Sequence, residues 1–498
     1  MSHSRTAARL RRLALLGALL LPALAGAQES EPVSRTLPTL TTLSMERVTL
    51  PGGERLGLVG SSLLFAVNDS LAVGPAVYGA ATGERGGLFV GGVELQHRLR
   101  LGRNLGLATS LHAGGGGGGA APVGGGLMLR PAATLFYELG PTLHAGLSWA
   151  MVKFPSGQID SRQFGLVLAW QDRFRYYEPE SEGRTAVSPR DSGLGFDRIA
   201  ATAGTYRLSD GSGRSIGLAG ARADRRSGIR NLTLSMEAAG ATGGDAAGYM
   251  EILAGAGWSF EPSAHTLPGL RLGLRGALGL GGGGAVPTGG GALAKATATL
   301  ELALAKGWTI GVEGGVVRGL NGTLRAKHAQ VWAGAELEPA FDGGVERRGP
   351  VVRSEWTGAL QHHARVERKD GSVGPLDTIG LKLSRYVTPH VYLAGQAHSA
   401  FAGGAGAYSV GLLGVGVATR AHEGARLGAE ALIGAAGGGR VATSGGAIAQ
   451  AMLWAGWATA SAGEWRIGAG TVRGVRGASM RSPSLELSWT KAFGFAGR

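Results

Sequence analysis

Residues Leu270–Leu280 read Leu-Arg-Leu-Gly-Leu-Arg-Gly-Ala-Leu-Gly-Leu. Leu270, Leu272, Leu274, Leu278 and Leu280 fall on one parity, with Arg271 and Arg275 on the other. A period of two over this length describes an extended strand with one apolar and one polar face; helical spacing would scatter the leucines around all sides. The pattern recurs. Ala294, Ala296, Ala298, Leu300, Leu302 and Leu304 oppose Lys295, Thr297, Thr299 and Glu301, while Phe89, Val93, Leu95, Leu99 and Leu101 oppose Glu94, Gln96, Arg98 and Arg100. Short breakers divide the runs, among them Gly140-Pro141, Gly243-Gly244-Asp245, Lys306-Gly307 and Gly463-Glu464. An all-β chain is expected.

The runs are organised in three copies. Gly114–Leu127 (GGGGGGAAPVGGGL), Gly279–Ala292 (GLGGGGAVPTGGGA) and Gly434–Ala447 (GAAGGGRVATSGGA) share a glycine-rich frame. Val152-Lys153, Val317-Arg318 and Val472-Arg473 follow at matching positions, each basic residue four before a glycine (Gly157, Gly322, Gly477). Each copy then closes on one spacing: Leu166, Leu168, Trp170 and Phe174; Ala333, Ala335, Leu337 and Phe341; Leu485, Leu487, Trp489 and Phe493. Ordered landmarks of three kinds indicate tandem duplication. The repeats are placed at 41–174, 198–341 and 355–495, with linkers at 175–197 and 342–354. About eight strands per repeat give about 24 in all. The glycine runs lack a GK[ST] ending and sit between strands, so they read as flexible loops or sharp strand bends rather than a phosphate cradle.

The N-terminus carries Arg5, Arg9, Arg11 and Arg12, an apolar stretch Leu13–Leu24 and a small-residue Ala25-Gly26-Ala27 site. Residues 1–27 are read as a cleaved signal peptide and 28–40 as an extension. Beyond Gln28 no apolar run reaches the length of a membrane helix. Cysteine is absent, which excludes disulfides, thiolate metal sites and cysteine nucleophiles. Glycine makes up 91 of 498 residues without a collagen triplet, and hydrophobic residues at 44% are too many for a disordered chain. HExxH does not occur, and no enzyme, catalytic residue, metal site or cofactor is expected; nothing points to nucleic acid.

Alternating strands in an exported, cysteine-free chain resemble the bacterial outer-membrane β-barrels, an architecture of porin-like type and not one particular family. Only helices and closed sheets satisfy their backbone groups in hydrocarbon. The resemblance implies a transmembrane antiparallel barrel in the outer membrane, with the lipid bilayer and the outer-membrane assembly machinery as partners and a secretion or surface partner as a further expectation. It places Glu94, Arg98, Arg100, Arg271, Arg275, Lys295 and Glu301 on the lumen face, as an anion-favouring lining or a balanced internal salt-bridge network. Trp170, Trp308, Trp465 and Trp489 take membrane-interface positions. Leu485, Leu487, Trp489 and Phe493 resemble the C-terminal assembly strand, although Gly494–Arg498 follow the aromatic residue. Two functions fit: a passive pore or export channel, expected first, and a non-conducting barrel with a structural, anchoring or assembly role. One barrel of about 24 strands is expected ahead of three eight-stranded barrels.

Overall fold

The computed structural model describes residues 31–188, 192–262, 268–304, 307–337, 348–459, 463–475 and 480–497. Phe341, Gly477 and the signal peptide lie outside them. Strands fill nearly all of the rest, every strand pair is antiparallel, and three closed eight-stranded barrels result. Barrel I runs from Arg35 to Tyr176, barrel II from Arg198 to Glu336 and barrel III from Arg348 to Ala496.

The closing pairs decide between the two architectures. Strand Arg35–Thr49 pairs with Asp160–Tyr176, Thr41 standing opposite Trp170. Arg198–Leu208 pairs with Arg325–Glu336. Arg348–Glu367 pairs with Arg481–Ala496, Gly358 opposite Trp489. The closing strand of each repeat therefore returns to its own first strand, and the preferred 24-stranded barrel gives way to the three-barrel alternative. The reason is interior volume: eight strands leave a lumen that side chains can fill, whereas a much wider barrel would hold water there. Boundaries move accordingly. Barrel I starts at Arg35, inside the expected extension, and barrel III at Arg348, inside the expected linker.

Burial follows the two-residue period with polarity inverted relative to a soluble protein. Along Asp160–Tyr176, Ser161, Gln163, Gly165, Val167 and Ala169 are buried, while Phe164, Leu166, Leu168 and Trp170 are exposed. Leu274, Leu453 and Ile467 likewise stand bare on the outer wall. Pro131 sits within strand Met128–Glu138 opposite Leu111; towards the next strand, pairing skips from Leu129–Lys153 to Ala132–Ala150. A proline cannot donate there, and the ladder opens around it.

In barrel I the strand termini and the short turns 67–70, 101–104 and 139–142 share one end, the terminal end. The longer connections 83–88, 118–127 and 154–159 share the other, the loop end. There the barrels touch in a cycle. In barrel I the loop after the third strand meets the fifth-to-sixth-strand loop of barrel II, where Gly86 donates its N–H to the Gly289 carbonyl at 2.8 Å; beside it Asn321 Nδ2, from the seventh-to-eighth-strand loop, donates to the carbonyl of Ala81 at the end of the third strand at 2.7 Å. The same pair of loops joins II to III, where a Cβ on Gly437 would lie 2.2 Å from the Gly248 nitrogen. It also joins III to I, where Gly406 donates to the Gly124 carbonyl at 3.1 Å. Head-to-tail contacts of one kind that close after three steps make a pseudo-threefold ring within one chain.

Of the two expectations for the glycine runs, flexible exposed loops and sharp strand bends, the first gives way: the runs are packed contacts. Gly114–Gly117 are buried, and a Cβ at Gly115 would fall 2.6 Å and 2.8 Å from the Ser399 and Ala400 carbonyls of barrel III. Gly119, Gly284 and Gly439 each adopt φ of +57°, a left-handed position that favours glycine.

Candidate functional site

The lumens are built from inward-facing polar residues that alternate with the outer apolar ones. In barrel I, Arg130 holds Glu46 through two bonds of 2.9 Å and 3.0 Å and donates to the Tyr78 hydroxyl at 3.2 Å. Tyr78 donates in turn to Glu94 at 2.7 Å, and the His112 ring stands edge-on to it at 4.8 Å. Towards the loop end this layer is capped by Leu50, Leu56, Leu88, Val123, Phe154 and Ile159, and towards the terminal end by Leu40, Leu64 and Phe136.

Barrel II carries more charge. Lys295 Nζ lies 2.8 Å from Glu237 and 3.0 Å from Glu251, which accepts hydrogen bonds from Tyr206 and Tyr249. Arg275 lies 2.9 Å from Glu237, Arg222 lies 3.0 Å from Glu313, and Arg198 bridges Asp224 and Glu301. Leu208, Ile216, Leu218, Val286 and Leu324 close the loop end. At the terminal end a cup of about 60 Å³ stays open, bordered by Asp197, Arg226, Arg271, Glu301 and Glu336.

In barrel III, Lys382 lies 2.8 Å from Glu430 and 3.4 Å from Glu486, and Tyr392 donates to Glu430 at 2.8 Å. Nearer the terminal end Glu355 faces three guanidinium groups: Arg353 at 2.7 Å, Arg426 at 2.8 Å and Arg466 at 2.7 Å, with Glu464 paired to the last two. Leu376, Tyr408, Val441 and Met480 close the loop end.

Transferring these charges out of water is costly, and only close pairing with complete hydrogen bonding offsets it. Close pairing thus makes a braced polar core of these lumen-facing charges. Glu94, Arg275 and Lys295 sit inside these networks. Arg98 faces inward over the Phe136 ring at 5.4 Å, whereas Arg100 (3.6 Å from Glu138) and Arg271 (3.0 Å from Glu261) lie at the mouths, as does Glu301. Glu46, Arg130, Lys382, Glu430, Glu355, Arg426 and Arg466 escaped the sequence reading, although their signal is the same alternation: Thr42, Ser44 and Glu46 oppose Leu43 and Met45. The His362-His363 pair splits across the wall, His362 exposed and 2.7 Å from Asp377, His363 buried in the lumen. Among the described residues, no group of three or more His, Asp or Glu side chains could hold a metal ion.

Trp170, Trp308, Trp465 and Trp489 all stand on the outer wall near the terminal end, joined there by Trp258 and Trp457. Leu485 and Leu487 share that outer face. Phe493 departs from them: it is buried between barrels I and III, 5.0 Å from Phe174, in a cluster with Phe65, Tyr176, Trp356 and Phe495. The first linker reinforces this joint, since Thr185–Val187 pairs with Arg348–Pro350, and Tyr177 and Gly494 exchange backbone hydrogen bonds of 2.8 Å and 2.7 Å.

No family model matches the chain, and no curated protein does. Similar solved structures include several from Pseudomonas aeruginosa. One is OccK2 (OpdF) in complex with glucuronate, 11% identical, covering 93% of this chain and 98% of its own, at a TM-score of 0.21. Another is the outer membrane protein OpdK, 11% identical, covering 92% and 99%, at 0.22. A mutant of the ferric enterobactin receptor PfeA is 10% identical, covers 93% and 81%, and scores 0.27. At these values the likenesses carry no argument about activity. The wall itself carries the fold: with an apolar exterior, a charged interior and every sheet closed, the chain has the architecture of a bacterial outer-membrane β-barrel, three times over.

Proposed function

We propose that the chain is an outer-membrane protein, exported by residues 1–27 and inserted through the barrel-assembly machinery. In this reading it is a non-conducting scaffold that presents a rigid three-barrel face to the cell exterior. The observation that carries this is the filled lumen. Each barrel holds a buried charge layer under an apolar cap, and neither leaves a column for water or solute. Even strand numbers place all barrel termini on one side, the periplasmic one, so the short turns face inward and the glycine-braced loops outward.

The pore reading keeps one observation in its favour, the open cup at the terminal mouth of barrel II, which ends on Arg275 and Arg222. Planar-bilayer recording on the full-length protein separates the two. The scaffold reading expects no stepwise open-channel conductance; steady single-channel steps would restore the pore. Membrane residence is checked independently, because the protein should resist carbonate extraction.

A further inference from the structure

On the outer wall at the loop end, the basic residue that marks each repeat stands in a row of cations. In barrel II, Arg318 lies directly opposite Arg325, and Arg207 directly opposite Lys327. In barrel III, Arg473 lies directly opposite Arg481. In barrel I, Arg47, Arg55, Lys153 and Arg162 occupy the corresponding rim. All are exposed. Like charges directly across a strand pair repel, yet among the described residues only Lys153 has a carboxylate partner, Asp160 at 3.4 Å. Such rows call for an anion from outside the chain.

Their height identifies it. Trp308 and Arg318 lie ten residues apart on one outward-facing strand, about 33 Å along the chain. With a strand tilt of about 40° this is about 25 Å along the barrel axis, the height of a hydrocarbon band. Indoles thus mark one edge of the apolar belt and guanidinium groups the other. Resting on the outer-membrane reading, we infer that the loop-end rim of each barrel binds the phosphate-bearing headgroups of outer-leaflet lipid. Arg318/Arg325, Arg207/Lys327 and Arg473/Arg481 act as paired phosphate clamps, since guanidinium forks match phosphate geometry.

The test uses the full-length protein in neutral detergent, titrated with lipid A in mixed micelles and read by native mass spectrometry and thermal unfolding. Wild type should retain lipid A and gain stability from it. The variant Arg318→Gln/Arg325→Gln/Arg473→Gln/Arg481→Gln should bind at least roughly tenfold more weakly, at roughly fivefold per removed cation before non-additivity. It should also be the more stable of the two without lipid, because its opposed charges are gone. The corresponding Arg→Lys set, which keeps the charge but loses the fork, should bind more weakly than wild type and more tightly than the Gln variant. Equal retention by wild type and the Gln variant would overturn the inference, as would displacement of lipid A by inorganic phosphate alone. Carbonate extraction of both proteins stands apart: release of wild type from membranes would refute the membrane reading, whatever the lipid result.

Discussion

Glu355 of barrel III offers the sharpest test of the idea that the lumens are braced by charge. Its carboxylate is fully buried and meets Arg353, Arg426 and Arg466 at 2.7–2.8 Å. Glu355→Gln keeps size and shape but leaves Arg426 and Arg466 sharing Glu464 and takes from Arg353 the carboxylate it faces. Removing one member of a buried ion cluster costs about 3–5 kcal/mol, because the remaining charges stay dehydrated and unpaired. For a domain of roughly 150–250 residues each kcal/mol moves Tm by about 2–4 °C, so a fall of about 6–20 °C is expected. Stepwise heating in detergent, followed by gel mobility and tryptophan fluorescence, reads it. Arg100→Gln is the control: the Arg100 side chain is 78% exposed and 3.6 Å from Glu138, and an exposed pair of that kind contributes less than about 1 kcal/mol. A Glu355→Gln shift no larger than that of the control would refute the bracing argument.

Other consequences can be checked in parallel. Gly240→Cys/Ala435→Cys should form a disulfide joining barrels II and III, since a Cβ at 240 would approach the Ala435 Cβ to 2.9 Å; the chain has no native thiol to interfere, and one 24-stranded barrel would hold these positions on distant strands. Trp489→Asp should lower the yield of membrane-inserted protein more than Trp170→Asp, measured by carbonate-resistant yield, because only the former lies in the terminal strand; equal losses would reduce both to local packing.

Strand period, repeat number and the inside-out pattern could all be read from the chain, because each depends on residues two apart or on motifs of one kind. Closure could not. Whether Phe164–Phe174 pairs with its own repeat or the next depends on contacts more than a hundred residues apart, and the alternating pattern is the same in both. The small two-faced strands, Tyr408–Thr419 among them, suit a filled interior, and they close into small barrels. The lumen charges were found where both faces of a strand were strongly polarised, as for Arg275 and Lys295, and missed where threonine and serine diluted the inner face, as around Glu46. The glycine runs were misread for a physical reason: lack of a side chain serves close packing and flexibility alike, and only the facing carbonyls of the next barrel tell them apart.

The ring poses a last question, which its joints answer. Three barrels in a cycle have three contacts but only two linkers. Contacts I–II and II–III are tethered, and a short tether holds partners at an effective concentration in the millimolar range. Contact I–III joins the two barrels that no linker connects directly. There the structure concentrates its extra packing: the aromatic cluster around Phe174 and Phe493, and the strand Thr185–Val187 laid against Arg348–Pro350. Phe174→Ala should therefore open the ring at this joint. The ring of Phe174 is buried and touches Phe65, Trp356, Phe493 and Phe495 at centroid distances of 5.0–6.0 Å; truncating such a residue costs about 3–5 kcal/mol. Little of that cost falls on barrel I itself, because Phe174 stands on its outer wall near the end of the closing strand. The readout is disulfide formation between Gly125→Cys and Ala402→Cys across I–III, set against Gly240→Cys/Ala435→Cys across II–III. A Cβ at 125 would lie 3.4 Å from the Ala402 Cα, so the pair is close in the intact ring. With Phe174→Ala the first crosslink should form more slowly, and the second at its former rate. Equal rates at both joints, whether unchanged or slowed together, would show that the aromatic cluster does not hold the ring closed.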